Sequence, residues 1–165
     1  MTGDPVTQTP LVLETPRLRL VLDSTEAVLA RIDALSPADR AEVSPEWLAR
    51  MRSSAPSPWT HGFTAFDRTN DRAVGGGGYK GPPDADGMVE IAYGIDAAYR
   101  GRGFAKEVAA ALTQYALGAE ARHVRAHTRP ENGASARILE HCGFACIGEV
   151  IDPEDGLVWR WELRR

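Results

Sequence analysis

Tyr99-Arg100-Gly101-Arg102-Gly103-Phe104-Ala105 closes a strand-like segment and opens an amphipathic helix, and its reading decides the fold. Glycines at 101 and 103 let the backbone turn tightly and approach a ligand closely. A helix starting near Gly103 leaves its first amides without intrahelical acceptors. Those donors, with the helix dipole behind them and Arg100 and Arg102 beside them, suit a pyrophosphate. No Gly-Lys-Ser/Thr follows, so the loop is not a Walker A motif, and the third glycine of a dinucleotide fingerprint is missing. Two glycines between a strand and a helix also have a purely conformational reading, so the flanking sequence must decide.

Upstream, strand patterns run over 62–67, Ala73 to Lys80 and Met88 to Ile95, separated by Thr69-Asn70-Asp71 and by the turn-rich 81–87, which reads as a meander. Downstream, Phe104, Val108, Ala111, Leu112 and Tyr115 recur at helical spacing, and Gly118 can end that helix. His123 to Thr128 reads as a strand, Asn132 to His141 as a helix, and Ala145 to Ile151 and Leu157 to Leu163 as the last two strands. Nearer the start, Leu13 to Leu20 reads as one edge strand, with Pro16 tolerable near an edge or bulge. Ser24 can cap a helix through Asp33 that buries Val28, Leu29 and Ile32. Ser44, followed by Pro45, can cap a second, and 53–58 is a loop. The order predicts an α/β (α+β) layer, a mixed and mostly antiparallel sheet of about seven strands with helices packed on it.

A chain of 165 residues fits a single domain over 1–165, with 1–10 a flexible N-terminal extension. No apolar run approaches the roughly 20 residues of a membrane span. Met1 to Thr9 is polar, contains Pro5 and lacks the basic and apolar segments of a signal peptide. Cys142 and Cys146 have no zinc or redox spacing and read as reduced thiols of a cytoplasmic protein. A formal charge of −4 argues against a general nucleic-acid binder and is compatible with a cationic amine substrate. His123, His127 and His141 lack metal-ligand spacing, so no metal is assigned.

Arg100-x-x-Gly103-x-Ala105 resembles the acyl-coenzyme A loop of the GNAT N-acetyltransferases. Val89 to Ile95 resembles that family's fourth strand, and Asn132-x-x-Ser135 through Gly143-Phe144 its final helix and exit. Glu14-Thr15-Pro16-Arg17-Leu18-Arg19-Leu20 is similar to the opening strand of the branch containing ribosomal-protein N-terminal (alanine/serine) acetyltransferases. The resemblance covers nearly the whole chain and implies a GNAT-like sheet with helices on both faces. It also implies acetyl-coenzyme A as co-substrate and a primary amine, on a protein N-terminus or a small molecule, as acceptor. A succinyl transferase or a non-catalytic acyl-coenzyme A binding module are the rival readings.

On that resemblance the cofactor is held by Tyr93, Ile95, Arg100, Gly101, Arg102, Gly103, Phe104, Ala105, Asn132 and Ser135, with the backbone of Tyr93 to Ile95 bonding the pantetheine arm and supplying an oxyanion donor. Glu90 is the candidate base, acting through a water; its bland reading is a solvated residue or an ion pair. Asn132 and Ser135, three apart, share a helix face. Asn132 contacts pantetheine or merely caps the helix, and Ser135 bonds the sulfur and can reprotonate it. The family's frequent tyrosine four residues past this serine is Leu139 here, which leaves Ser135 or water as the acid. Gly75 to Gly78 reads as a bulged strand making room for a neighbour or substrate rather than as a phosphate loop. Trp59 and His61 border the acceptor or simply pack in their loop, while Trp159 and Trp161 share a strand face and read as core or as a lining of the acceptor site. The C-terminal strand could pair across a homodimer.

Overall fold

A computed structural model describes residues 10–164. The extension read over 1–10 lies outside the described residues except for Pro10. Eight strands form one sheet in the order β1-β2-β3-β4-β5-β6-β8-β7. They are β1 (Val12–Glu14), β2 (Leu18–Leu22), β3 (Phe63–Asp67), β4 (Ala73–Tyr79), β5 (Met88–Ile95), β6 (His123–Thr128), β7 (Ala145–Asp152) and β8 (Gly156–Arg164). The helices are α1 (Thr25–Asp33), α2 (Pro37–Ala41), α3 (Pro45–Ser53), α4 (Pro58–His61), α5 (Phe104–Gly118) and α6 (Gly133–His141).

The strand expected over Leu13 to Leu20 is in fact a hairpin, and this is why the sheet has eight strands rather than seven. Pro16 lies in the turn, where the Thr15 hydroxyl oxygen accepts the Leu18 amide at 2.9 Å, and β1 returns antiparallel along β2. The one-turn helices α2 and α4 were not expected. Each follows the local rule that made α3 legible: a serine at the N-cap (Ser36, Ser57) accepts an amide from the first turn, and a proline stands at the first helical position.

Leu18 and Leu20 of β2, Phe63 of β3, Val89 and Ile91 of β5 and Val124 of β6 bury one face of the sheet against Phe104, Val108 and Leu112 of α5 and Leu139 of α6. The glycine run of β4 has a packing reason here. A Cβ on Gly77 would stand 2.9 Å from Leu112 Cδ1 and 2.9 Å from Tyr93 Cβ, so only glycine lets α5 settle this closely onto the sheet. Tyr79, at the end of the same strand, donates its hydroxyl to the Leu112 carbonyl.

One join differs from the rest. Strands β5 and β6 are the sheet's parallel neighbours, and they pair only over Met88–Glu90 and His123–Arg125. Past Glu90 and Arg125 they diverge, leaving Ile91–Ile95 and Ala126–Thr128 on opposite sides of a wedge-shaped gap. Because side chains alternate along a strand, Glu90, Ala92 and Gly94 face away from α5 while Val89, Ile91 and Ile95 face the core.

Candidate active site

The loop from β5 into α5 leaves a run of backbone donors open at the start of a helix. Gly101 and Gly103 have φ of +79° and +81°, a left-handed conformation that side chains with a Cβ rarely adopt. Gly103 is the N-cap of α5 and offers no side-chain cap. Among the described residues the amides of Gly101 through Lys106 have no backbone acceptor, so six consecutive donors stay open at the positive end of a 15-residue helix. Arg100 anchors the turn by donating Nε to the Ile95 carbonyl at 2.9 Å. Arg102 points outward with its guanidinium 5.7 Å from the Tyr99 ring.

Arg17, which carried no expectation beyond its strand, completes this corner. Its Nη1 donates to the Arg102 carbonyl at 2.7 Å, its guanidinium lies 4.7 Å from the Phe104 ring, and Nη2 approaches Glu107 Oε2 at 2.5 Å. Glu107 also accepts the Thr15 hydroxyl at 2.7 Å and the Arg17 amide at 3.0 Å. Burial would raise the Glu107 carboxyl, but the bonds from Thr15 and Arg17 and the Arg17 charge outweigh it and hold the carboxyl below the usual glutamate range. A depressed folded-state pKa stabilises the fold above the ordinary glutamate value of about 4.3 and loses that contribution as pH falls through the depressed value. Glu107→Gln is therefore expected to flatten the fall in melting temperature between about pH 6 and about pH 3. A melting series with unchanged acid dependence would remove Glu107 from the acid limb.

From the loop before α5 a cleft of about 730 Å³ runs between the start of α5 and α6. It brings together nearly all the residues the sequence singled out for the cofactor: Tyr93, Ile95, Arg100, Gly101, Gly103, Phe104, Ala105, Asn132 and Ser135. Arg102 stands outside this lining. Asn132 caps α6, its Oδ1 accepting the Ser135 amide at 3.2 Å. That bond uses the oxygen and leaves the Nδ2 protons, so capping and ligand contact are compatible.

Tyr93 and Ser135 also line a second, smaller cleft of about 140 Å³, with Lys80, Glu90, Ala126, His127 and Asp155. The two clefts meet at these shared residues, in the gap where β5 and β6 part. Burial, with Cys142 nearby, raises the Tyr93 phenol far above its ordinary value, so it stays protonated. Leu139, at the position of the family tyrosine, is fully buried and out of reach of either cleft.

Glu90 sits in an ion pair, one of the two bland readings of this residue. Lys80 Nζ lies 2.8 Å from its Oε2, and His127 Nδ1 lies 3.1 Å from its Oε1. Burial works against the Lys80 charge, but Glu90, Asp155 and Glu154 more than offset it and raise the Lys80 pKa, so Lys80 is a fixed cation. Lys80 and His127 had no sequence signal. They reach Glu90 through register: the Lys80 amide bonds the Glu90 carbonyl at 3.0 Å, and His127 lies two residues beyond Arg125, the partner of Glu90.

The aromatic residues divide. Trp59 packs with Tyr79 and Tyr115 and lines a cavity of about 470 Å³ with Trp47, Arg50, Met51 and Lys80. His61 is buried with its ring nitrogens bonded to the Thr25 and Thr60 hydroxyls, so it packs its loop. Trp161 is buried and donates Nε1 to Thr128 at 3.0 Å; Trp159 donates to Glu149 at 3.3 Å. Among the described residues no cluster has a metal-binding arrangement, and no helix is long and apolar enough to cross a membrane.

Residues 11–145 match the family model for the acetyltransferase (GNAT) domain. The chain belongs to the GNAT acetyltransferase family. It is 34% identical over 89 residues to an uncharacterized N-acetyltransferase, YjdG, of Bacillus subtilis, a match spanning 52% of this chain and 53% of that protein's length. The fold is that of RimL, a ribosomal-protein alpha-N-protein acetyltransferase solved in complex with coenzyme A, at TM-score 0.70 and 17% identity over 93% of this chain and 98% of that one. It is likewise that of a spermidine N-acetyltransferase chimera, SpeG from Vibrio cholerae with hSSAT, at TM-score 0.68 and 15% identity over 90% of this chain and 95% of that one. The mixed, mostly antiparallel sheet with its parted parallel pair is the GNAT fold.

Proposed function

We propose that this GNAT domain transfers an acetyl group from acetyl-coenzyme A to a primary amine by direct attack, with no covalent enzyme intermediate. The observation that carries this reading is the meeting of the two clefts at Tyr93 and Ser135, with open helix amides at the outer end of one and Glu90 within the other. The residues present fit the cofactor. The Gly101 to Lys106 amides and Arg100 suit its pyrophosphate, Asn132 Nδ2 suits an amide of its pantetheine arm, and Ser135, which lines both clefts, suits its sulfur. Acetyl-coenzyme A supplies the acyl group as a thioester and leaves as a thiol.

The chain's residues have separable tasks. Glu90, directly or through one water, takes the proton that the amine loses as its new carbon–nitrogen bond forms. A backbone amide along Tyr93 to Ile95, on the edge of β5 that β6 leaves unpaired, faces the negative charge that develops on the acyl oxygen, a type of contact worth about 2.7 to 4 kcal/mol. The Ser135 hydroxyl donates to the sulfur as the carbon–sulfur bond breaks. Placement of the two reactants across the gap supplies several kcal/mol, about 7 to 11 at best.

The acceptor enters at the Lys80 end, where the cavity walled by Trp47 and Trp59 adjoins the Glu90 cleft. A protein N-terminus or a small amine both suit that mouth. The rest of the reading is a cytoplasmic enzyme and a homodimer; the C-terminal strand β8 expected to pair across it lies between β6 and β7, so the outer strand β7 is the one open to a second copy. Incubation with isotopically labelled acetyl-coenzyme A and either peptides with a free N-terminal alanine or serine, or spermidine, should add labelled acetyl to the amine by mass spectrometry. Thiol release without acetylated amine would reject amine transfer. Ser135→Ala should lower turnover about tenfold or more while coenzyme A affinity, read by calorimetry, changes little. Equal losses in both would make Ser135 a binding residue.

A further inference from the structure

His127 is the buried polar group that neither the fold nor the proposed chemistry accounts for. Its side chain is only 7% exposed, it lines the Glu90 cleft, and its Nδ1 has no aligned hydrogen-bond partner, although Glu90 Oε1 lies 3.1 Å away. The other ring nitrogen is fixed. Arg160, on the neighbouring strand β8 and directly paired with His127, donates Nε to His127 Nε2 at 3.1 Å. A guanidinium can only donate, so Nε2 must present a lone pair, and the ring proton resides on Nδ1, facing Glu90.

We infer that His127 is a positioning residue for Glu90: Arg160 locks its ring with the Nδ1 proton toward Oε1, while Lys80 holds Oε2. This inference rests on the reading of Glu90 as the base. Both carboxylate oxygens are thereby engaged from opposite sides, by a lysine on the chain just past β4 and a histidine on β6. Such a frame fixes the carboxylate plane and leaves the outward lone pairs for the amine or a bridging water. The misaligned contact at Nδ1 is a form that hydrogen bonds in ligand-free sites commonly take before they align around a substrate. A purely structural role would predict a fully satisfied histidine, and one nitrogen is not satisfied. The other charged groups facing this site are Asp152, Glu154 and Asp155 of the β7–β8 turn, which act on Lys80 or His127 through space.

Two substitutions separate the nitrogens. In His127→Asn the side-chain amide nitrogen replaces Nδ1 and the partner of Arg160 is lost; in His127→Gln the amide oxygen replaces Nε2 and the donor to Glu90 is lost. With acetyl-coenzyme A and an alanine-terminated peptide or spermidine, H127Q should lose about 10²-fold in kcat and H127N only about threefold, with coenzyme A affinity and melting temperature similar in both. Equal losses in both variants, or a larger loss in H127N, would overturn the inference. Independently of any substrate, long-range proton–nitrogen NMR of the wild type, assigned by the signals missing in H127N, should show the proton on Nδ1. A proton on Nε2 would overturn the inference even if amine acetylation is established. Absence of wild-type turnover beside a confirmed Nδ1 proton would instead reject the role of Glu90 as base, and the positioning role with it.

Discussion

Glu90→Gln should reduce kcat by about 10²- to 10⁴-fold, the range expected for a lost general base, with the affinity for coenzyme A unchanged. The isosteric amide keeps an oxygen for Lys80 or for His127 but cannot take a proton from the amine. Its position inside the cleft, rather than along the cofactor channel, is what separates the two readouts. The loss should be partly restored at high pH, where more of the free amine is already deprotonated. A variant that keeps its turnover at neutral pH would mean that placement alone drives the reaction and that the Glu90 ion pair is structural.

The second large effect lies thirteen residues further along the chain. Gly103→Val should lower coenzyme A affinity at least about 100-fold, or roughly 2.7 kcal/mol, while leaving the protein folded. Two causes combine at this position. The φ of +81° is strained for a residue with a Cβ, at about 1 to 2 kcal/mol, and more for a β-branched one. A Cβ would also stand 3.1 Å from Arg17 Nη2, displacing the arginine that braces the Arg102 carbonyl. The arginine tip can yield to the Cβ, but the φ strain is relieved only by moving the amides of the loop. Because Gly103 is exposed, the strain sets the cost, and a loss of about 2 kcal/mol should lower the melting temperature by roughly 4 to 8 °C. Unchanged affinity by calorimetric titration would show that the loop does not hold the pyrophosphate.

Legibility in the sequence followed the range of the interactions involved. Strands β5 and β6 fall where they were read, from Met88 to Ile95 and His123 to Thr128, because apolar residues alternate along each and turn or loop signals bound them. The turn into α5 was legible for the same reason: Gly101, Gly103 and the first turn of α5 are neighbours in sequence, and their conformations are set locally. The hairpin around Pro16 was misread as one strand because its two arms share a β-like pattern, and only the Thr15 hydroxyl and the return pairing show the turn. Of the fifteen residues of α5, Ala109 and Ala116 were missed as core, since small side chains give little hydrophobic signal yet are fully buried under close packing.

The surroundings of Glu90 were illegible for a different reason. Lys80, Glu90, His127 and Arg160 come from four segments spanning half the chain, and register alone brings them together. A lysine after a tyrosine and a histidine inside a strand carry no mark of that meeting. The same holds for Arg17, which reads as an exposed strand residue until its contacts with Glu107, Phe104 and the Arg102 carbonyl are seen. The glycine run of β4 stands between these cases: its departure from strand composition is plain, but its cause, the approach of Leu112 from α5, is visible only in three dimensions.

Binding of acetyl-coenzyme A across the loop before α5 and the gap between β5 and β6 is measured by calorimetric titration of the wild-type protein, with succinyl-coenzyme A and free ATP as comparisons. One site of micromolar affinity for acetyl-coenzyme A is expected, with weaker binding of the succinyl form and negligible binding of ATP. No heat with acetyl-coenzyme A, or equal affinity for ATP, would contradict it.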